Sequence, residues 1–167
     1  GRFRRASIGR GHQEQHQSRV RGDQIDWWHP DQVTVAQQTY LCRLEELRKL
    51  LNRYLYLSLV TQEAHYALYP TQTRYQRHLD QFQDAPERTI STVFYLNSDW
   101  HAEDGGQLRL HLAEGIQDLL PSWNRLVLFC SADIEHEVLP ATRERLSITG
   151  WLRRRSALPI PVVHEVV

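Results

Sequence analysis

From residue 63 to residue 153 the chain consists mostly of seven short segments, and this feature limits its possible folds more than any other. Each segment is rich in β-branched or aromatic residues and is bounded by Pro, Gly, Asn or Asp. The segments are residues 63–69, 75–82, 89–97, 106–112, 125–130, 136–140 and 145–153. Their connections are too short for crossover helices, so the strands should pair antiparallel. The pattern predicts a mostly β sandwich or barrel.

One long amphipathic helix precedes these segments. Between about residue 35 and residue 57, leucines recur at three- and four-residue steps, and charged residues occupy the other side. The leucines of this stripe are Leu44, Leu47, Leu51 and Leu55. The stripe predicts a helix face that packs on a sheet. Further upstream, the sequence "QIDWW" at residues 24–28 indicates another strand.

The composition along the chain predicts three regions. Residues 1–22 are rich in Arg, Gly, Gln and His and show little apolar periodicity, which predicts an irregular basic arm or flap with one edge strand near residues 3–8. Residues 23–155 should form the folded domain, and residues 156–167 a C-terminal tail. Because the sequence contains no methionine, we expect that its natural N-terminus is missing.

Charge and cysteine content argue against several classes of partner. The chain carries 20 basic and 20 acidic residues, so nothing indicates binding to nucleic acid or to an anionic membrane. No apolar run approaches the roughly 18 to 20 residues of a membrane span. The two cysteines, Cys42 and Cys130, show no CxxC spacing, which argues against a disulfide framework or a thiolate zinc site. These features predict a cytoplasmic protein whose partners are small rather than polyanionic.

Two polar residues in the predicted strand 75–82 suggest a metal site. His78 and Asp80 lie two residues apart and should project from one face, although a solvated polar pair has the same spacing. His136 is the best third ligand, because it lies between two apolar runs where a side chain can turn inward. Two histidines and one carboxylate form the facial triad of non-haem Fe(II) oxygenases, whereas zinc more often has four ligands. The other seven histidines lack partners at ligand spacing and are expected to be structural or exposed.

Arg145 lies nine residues after His136, in a run that is otherwise apolar or small. An arginine that faces the interior of a barrel is costly unless a carboxylate meets it, and its planar guanidinium binds a carboxylate in bidentate fashion. The alternative is a surface arginine paired with Glu137 or Glu144. On its own, the position of Arg145 does not distinguish the two.

Several motifs together resemble the Fe(II)- and 2-oxoglutarate-dependent prolyl hydroxylases, particularly the branch of the hypoxia-factor prolyl hydroxylases and their bacterial relatives. The resemblance extends from about residue 21 to residue 153 and is carried, in order and spacing, by "RGDQIDWW", "RHLD", "TVFYLNSDW", "DGGQLRLH", "NRLVLFCS", "HEVLP" and "RLSITGW". It implies a double-stranded β-helix, or cupin-like jelly-roll, with a supporting helix. It also implies N-terminal supporting elements, a helix and a strand upstream of the arm, which are missing here. It also implies that His78, Asp80 and His136 bind Fe(II), and that Arg145 binds the distal carboxylate of 2-oxoglutarate.

The resemblance implies roles for five further residues. Tyr95 would assist Arg145 in binding 2-oxoglutarate, and Tyr69 would line the mouth of the active site. Trp151 would form part of the substrate-pocket wall, and a packing role is the alternative for each of these aromatic residues. Asp23 and Arg88 match segments that flank the entrance, where we hypothesise an ion pair between them.

The activity that the resemblance implies is hydroxylation of a prolyl residue in a protein or peptide. Such a reaction consumes 2-oxoglutarate and O2, yields succinate and CO2, and is stimulated by ascorbate (vitamin C) in enzymes of this type. Hydroxylation of a free amino acid or another small molecule remains an alternative, as does a non-catalytic module that binds metal or 2-oxoglutarate. A zinc hydrolase is disfavoured, because the sequence has no HExxH motif. The sequence does not indicate an oligomeric state.

Overall fold

Two antiparallel sheets lie on either side of the main core. The computed structural model describes residues 3–6, 21–81 and 86–155. Its strands are β1 (Arg4–Arg5), β2 (Gln24–Trp27), β3 (Leu59–Tyr69), β4 (Tyr75–His78), β5 (Arg88–Tyr95), β6 (Leu108–Leu112), β7 (Gly115–Leu119), β8 (Leu126–Cys130), β9 (Glu135–Val138) and β10 (Arg145–Arg154). One long helix, α1, spans Val35–Leu55, and short 3₁₀ turns span Pro30–Gln32 and Ala102–Asp104.

The strand order confirms the predicted jelly-roll. The major sheet has the order β1-β2-β3-β10-β5-β8, and the minor sheet has the order β4-β9-β6-β7. Alternate residues of each strand face the space between the sheets, because successive side chains of a strand point to opposite faces. The buried core formed there contains Ala67, Tyr69, Tyr75, Val93, Tyr95, Leu108, Leu110, Val127, Phe129 and Val138.

Helix α1 packs on the outer face of the major sheet. Thr34 caps it: the Thr34 hydroxyl accepts a hydrogen bond from the Gln37 amide, and the Gln37 side chain accepts one from the Thr34 amide. The predicted stripe is confirmed at Leu44, which is buried against the sheet, and at Leu51, which packs beside it. It is wrong at Leu55, which is 57% exposed in the last turn, where α1 ends and the chain turns back towards β3.

The seven predicted strands are all present, with shifted ends. Predicted strand 75–82 stops at His78, so Asp80 lies in the bend beyond β4. Strand β7 was missed, because its sequence "GIQDL" is mostly exposed and does not alternate between apolar and polar residues. The edge strand predicted near residues 3–8 is seen at Arg4–Arg5.

A double-glycine turn leads into β6. Gly105 and Gly106 both have positive φ angles, of 73° and 68°. A Cβ atom on Gly105 would lie 2.6 Å from the Pro140 carbonyl oxygen, so the approach of these two segments requires glycine.

Part of the predicted domain layout falls outside the described residues. This applies to residues 1–2 and 7–20 of the arm and to the whole tail 156–167, so the boundaries of these regions stay predictions. Cys42 and Cys130 are exposed and form no disulfide. In the described part of the chain, no helix combines the length and the apolar character needed to cross a membrane.

Candidate metal and cosubstrate site

Three potential metal ligands converge between β4 and β9. His78 is the last residue of β4 and pairs directly with His136 on β9. The Nε2 atom of His78 lies 3.6 Å from Asp80 Oδ1, and the Nε2 atom of His136 lies 3.7 Å from Asp80 Oδ2. Ligand atoms of the three residues all lie within 4.8 Å of one another, and no other such group occurs among residues 3–6, 21–81 and 86–155.

Backbone carbonyl groups orient both imidazole rings. The Nδ1 atom of His78 donates to the Gln76 carbonyl at 2.7 Å, and the Nδ1 atom of His136 donates to the Ile134 carbonyl at 3.1 Å. Because a carbonyl oxygen only accepts hydrogen bonds, these contacts place the proton on Nδ1 and a lone pair on Nε2. Two Nε2 lone pairs and a carboxylate face one another with no proton between them. A divalent cation fits this set of donor atoms.

The protonation states suit metal binding. Burial alone would raise the pKa of the Asp80 carboxyl, but the two imidazoles and the Ser91 hydroxyl beside it hold that pKa below its usual range. Burial lowers the pKa of His136, although the Asp80 charge opposes this effect. Asp80 is therefore ionised and His136 neutral near pH 7, and these are the forms that bind metal ions.

A hydrogen bond from a buried serine holds the Asp80 carboxylate near the two imidazoles. The alternation of side chains along a strand does not place it there. Alternation along a strand was the basis of the prediction, but Asp80 lies beyond the end of β4. The Ser91 hydroxyl on β5 donates to Asp80 Oδ2 at 2.6 Å, and the hydroxyls of Ser91 and Ser131 lie 2.9 Å apart. This pair of serines fixes the carboxylate from the major sheet.

We expect the Ser91→Ala variant to bind divalent metal about 10- to 100-fold more weakly, the usual cost of losing a hydrogen bond to a metal ligand. Titration with Mn(II) in the absence of oxygen would measure this. The Ser147→Ala variant is the matched control, because Ser147 is equally buried in the major sheet and its hydroxyl contacts Thr149 rather than a ligand. Equal Mn(II) affinities for the two variants would contradict this role of Ser91.

Arg145 is a fully buried cation. Its side chain is 1% exposed, which excludes the predicted alternative of a surface arginine. Nε donates to the Gly106 carbonyl at 2.9 Å, Nη2 donates to the Tyr95 hydroxyl at 3.4 Å, and the guanidinium lies 5.0 Å from the ring centres of Tyr69 and Tyr95. Within the described ranges, no carboxylate lies at ion-pair distance from Arg145. A buried charge without a counter-ion is costly, so a ligand carboxylate is the missing partner that the site suits.

The two tyrosines beside Arg145 keep their protons. Burial raises the pKa of Tyr69 and of Tyr95, although the nearby guanidinium opposes this shift. The Tyr95 hydroxyl accepts from Arg145, so its own proton remains available for a ligand oxygen. Both tyrosines lie beside the Arg145 guanidinium, and the roles that the family resemblance implies for them stay predictions.

The predicted substrate residues lie on the inner face of the major sheet and near its β2 edge. Trp151 is buried, and the guanidinium of Arg88 lies 3.5 Å from the centre of one of its rings. The hypothesised Asp23–Arg88 ion pair is wrong. Both Asp23 carboxylate oxygens accept hydrogen bonds from Arg21, and Arg88 donates to Glu63 at 2.9 Å.

Five residues of this site were not predicted from the sequence, namely Arg21, Glu63, Tyr75, Ser91 and Ser131. For Ser91 a signal was present, because it is a polar residue at an inward position of an otherwise apolar stretch of β5. Glu63 and Ser131 contact residues that are distant in sequence. Arg21 and Tyr75 lie close in the chain to their partners Asp23 and His78, but nothing in the spacing marks these contacts.

His65 forms an aromatic cluster with the residues beside it. Its ring centre lies 4.7 Å from that of Trp27 and 5.6 Å from that of Trp151, and its Nδ1 atom donates to the Tyr66 carbonyl at 2.9 Å. Burial lowers the pKa of His65 to about 4, and the positive charges of nearby arginines add to this effect. His65 is therefore a neutral structural residue, as predicted.

This pKa shift predicts a stability change with pH. The unfolded chain protonates His65 near pH 6.5 and the folded chain only near pH 4, so the contribution of a neutral His65 is complete above pH 6.5 and is lost as the pH falls towards 4. At about 1.4 kcal/mol per pKa unit, His65 should lower the unfolding free energy of the unchanged protein by roughly 3 kcal/mol over that range. The His65→Leu variant should not show this decrease. Urea unfolding of metal-free protein at several pH values tests this.

The His101→Leu variant serves as the control, since the side chain of His101 is 73% exposed. It should follow the pH dependence of the unchanged protein. If the unfolding free energies of the unchanged protein and the His65→Leu variant change equally with pH, the lowered pKa of His65 is contradicted.

The fold and the site together define a class of protein. A jelly-roll that carries two histidines, one carboxylate and a buried arginine without a counter-ion corresponds to the non-haem iron oxygenases with a facial triad. The family model of the 2OG-Fe(II) oxygenase superfamily matches residues 64–153. The chain belongs to this superfamily.

Solved structures and curated relatives agree with this assignment. The crystal structure of a Pseudomonas putida prolyl-4-hydroxylase is 49% identical, with a TM-score of 0.79, over 83% of this chain and 75% of that chain. A Trichoplax adhaerens prolyl hydroxylase, in complex with a peptide fragment of the hypoxia-inducible factor oxygen degradation domain, is 31% identical, with a TM-score of 0.79, over 92% of this chain and 71% of that chain. Egl nine homolog 1 of Rattus norvegicus is 40% identical over 51% of this chain, and the match spans 26% of the relative.

Proposed function

We propose that the chain is the catalytic domain of an Fe(II)- and 2-oxoglutarate-dependent dioxygenase that hydroxylates a prolyl residue in a protein or peptide. The observation that carries this proposal is the buried Arg145 without a counter-ion, in the same domain as the His–Asp–His triad. The triad suits a divalent metal, and Arg145 suits one carboxylate of a dicarboxylic cosubstrate. A zinc hydrolase would have no use for Arg145.

The residues have separate tasks in the proposed mechanism. His78, Asp80 and His136 would bind the metal through two Nε2 atoms and a carboxylate oxygen. Arg145 would bind the distal carboxylate of 2-oxoglutarate with its guanidinium, and the Tyr95 hydroxyl would donate to the same carboxylate. Bound Fe(II) supplies the redox chemistry that activates O2.

The core around the site excludes water. Tyr69, Val93, Phe129 and Val138 belong to the buried core between the two sheets. Apolar walls strengthen the interaction of Arg145 with an anionic ligand, because the local dielectric constant is low. They also limit oxidation of groups other than the substrate.

The proposed prolyl substrate rests on the relatives. The Pseudomonas putida structure is described as a prolyl-4-hydroxylase, and the Trichoplax adhaerens structure contains a peptide of a hypoxia-inducible factor. In this chain, Trp151, Arg88 and Tyr69 would contact the substrate, and Asp23 would act near the entrance through Arg21. A cytoplasmic location and stimulation by ascorbate are further parts of the proposal.

Reconstitution without oxygen, using Fe(II) and 2-oxoglutarate, tests the function. The protein is then exposed to air with a panel of proline-containing peptides, with and without ascorbate, and succinate and a mass gain of about 16 Da for one added oxygen atom are followed. We expect succinate formation together with a mass gain on a prolyl residue. Succinate without peptide modification would shift the proposal to a small-molecule hydroxylase. Iron-loaded, folded protein that forms no succinate would contradict it.

A further inference from the structure

Tyr75 stacks directly on the metal ligand His78. The two ring centres are 3.6 Å apart, and the ring planes differ by 18°. Tyr75 is buried at the start of β4, and the His78 side chain is itself mostly buried. This is the tightest ring contact in the described part of the chain. A stacked ring limits the tilt of the imidazole in a way that a single hydrogen bond does not.

Arg21 contacts the same tyrosine. The guanidinium of Arg21 lies 4.7 Å from the centre of the Tyr75 ring, a distance typical of a cation–π contact. Nε and Nη2 of Arg21 donate to the two carboxylate oxygens of Asp23 at 2.7 and 2.9 Å. Asp23 is 2% exposed, so this bidentate pair fixes the plane of the guanidinium.

Backbone contacts also hold residues 21–22 against β4. Arg21 forms an isolated β-bridge with Tyr75, and the Gly22 amide donates to the Arg74 carbonyl at 2.9 Å. A Cβ atom on Gly22 would lie 2.7 Å from the Thr73 Cβ atom, so glycine permits this close approach. The contacts from Asp23 through Arg21 and Tyr75 to His78 therefore have little freedom to shift.

The orientation of His78 needs this support. Its Nδ1–H donates to the Gln76 carbonyl, a contact that leaves the ring able to pivot about the hydrogen bond. Metal binding requires the Nε2 lone pair to point at the same place as those of Asp80 and His136. Groups that orient a ligand in this way usually contribute about 10- to 100-fold to metal affinity.

We propose that Tyr75, held by Arg21 and Asp23, is a positioning residue that sets the ring plane of His78 and thereby the affinity and geometry of the metal centre. This inference deepens the proposed function, since it rests on His78 being a metal ligand. It also connects the segment just before β2 with the metal centre. Substitutions in that segment should therefore change the metal site without touching a ligand.

Titration of the full chain with Co(II) in the absence of oxygen tests the proposal. We expect the Tyr75→Leu variant to bind Co(II) about 10-fold more weakly or worse, with an altered ligand-field absorption spectrum. The Tyr75→Phe variant keeps the stacked ring and should stay within about threefold of the unchanged protein. The Co(II) affinity of the Arg21→Gln variant should lie between those of Tyr75→Leu and Tyr75→Phe. Its spectrum should change in the same direction as that of Tyr75→Leu, but less. This variant keeps the test decisive if Tyr75→Leu fails to fold.

The matched control is Arg77→Gln. Arg77 lies on the same strand as Tyr75 and forms an exposed ion pair with Glu135, so its loss should leave the Co(II) affinity and spectrum unchanged. Unchanged affinity and spectrum in Tyr75→Leu, or in Arg21→Gln if only that variant folds, would overturn the inference. The proposed function is judged separately by succinate formation. Weaker Co(II) binding in Tyr75→Leu would support the positioning role even if no peptide is hydroxylated.

Discussion

We expect the His136→Ala variant to lose both high-affinity metal binding and all succinate formation. His136 is 5% exposed, and its Nε2 atom faces Asp80 across the candidate metal position. Without it, one imidazole and one carboxylate remain, and two ligands rarely retain a divalent ion against buffer and chelators. Loss of turnover should exceed 1000-fold, about 4 kcal/mol or more in transition-state stabilisation. Anaerobic Fe(II) titration and succinate release measure the two losses.

The His111→Ala variant is the control for this prediction. His111 lies on β6, next to β9, and its Nε2 atom contacts Glu137 at 3.1 Å on the minor sheet. Its replacement should leave Fe(II) affinity and succinate release unchanged. Appreciable succinate release by His136→Ala would show that the triad has been assigned wrongly.

The second large effect concerns Arg145. We expect the Arg145→Met variant to bind iron normally but to bind 2-oxoglutarate at least about 100-fold more weakly, because truncating one partner of a buried charge pair costs about 2 to 5 kcal/mol. Without 2-oxoglutarate, the variant should unfold at the same or a higher temperature than the unchanged protein. The reason is that a buried guanidinium without a counter-ion destabilises the fold, whereas methionine fills a similar volume.

Thermal unfolding with and without 2-oxoglutarate separates these two effects. A ligand that binds only the folded state raises the melting temperature, and this rise should disappear in Arg145→Met. Arg109→Met is the control, because Arg109 forms an exposed ion pair with Asp118 on the minor sheet. A rise of equal size in Arg145→Met and in the unchanged protein would exclude Arg145 as the carboxylate-binding residue.

Much of the fold was predictable from local patterns. Short apolar runs between turn residues located seven strands, and the leucine period located α1. Strand β7 was not predicted because most of its residues are exposed, so its sequence shows no alternation of apolar and polar residues. Leu55 was assigned to the buried stripe because periodicity does not indicate where the supporting sheet ends.

The candidate metal triad and Arg145 could also be proposed from the sequence, but the way they are assembled could not. His78, Asp80, His136 and Arg145 are chemically unusual residues in apolar surroundings, which the sequence shows directly. Some of the partners that position them lie far away in the chain. The Ser91 hydroxyl meets Asp80 across 11 residues, and Arg145 bonds Gly106 across 39 residues.

The sequence by itself therefore determined most of the strands, the chemistry of the candidate metal ligands and the family. These depend on residue type and on spacing along one strand or helix. Only the tertiary structure decided that Asp23 binds Arg21 instead of Arg88, that Tyr75 stacks on His78, and that Arg145 is buried without a carboxylate in the described chain. Even where the partners are close in the chain, as in Arg21–Asp23 and Tyr75–His78, the contact depends on how the surrounding strands pack, and neither composition nor periodicity encodes that packing.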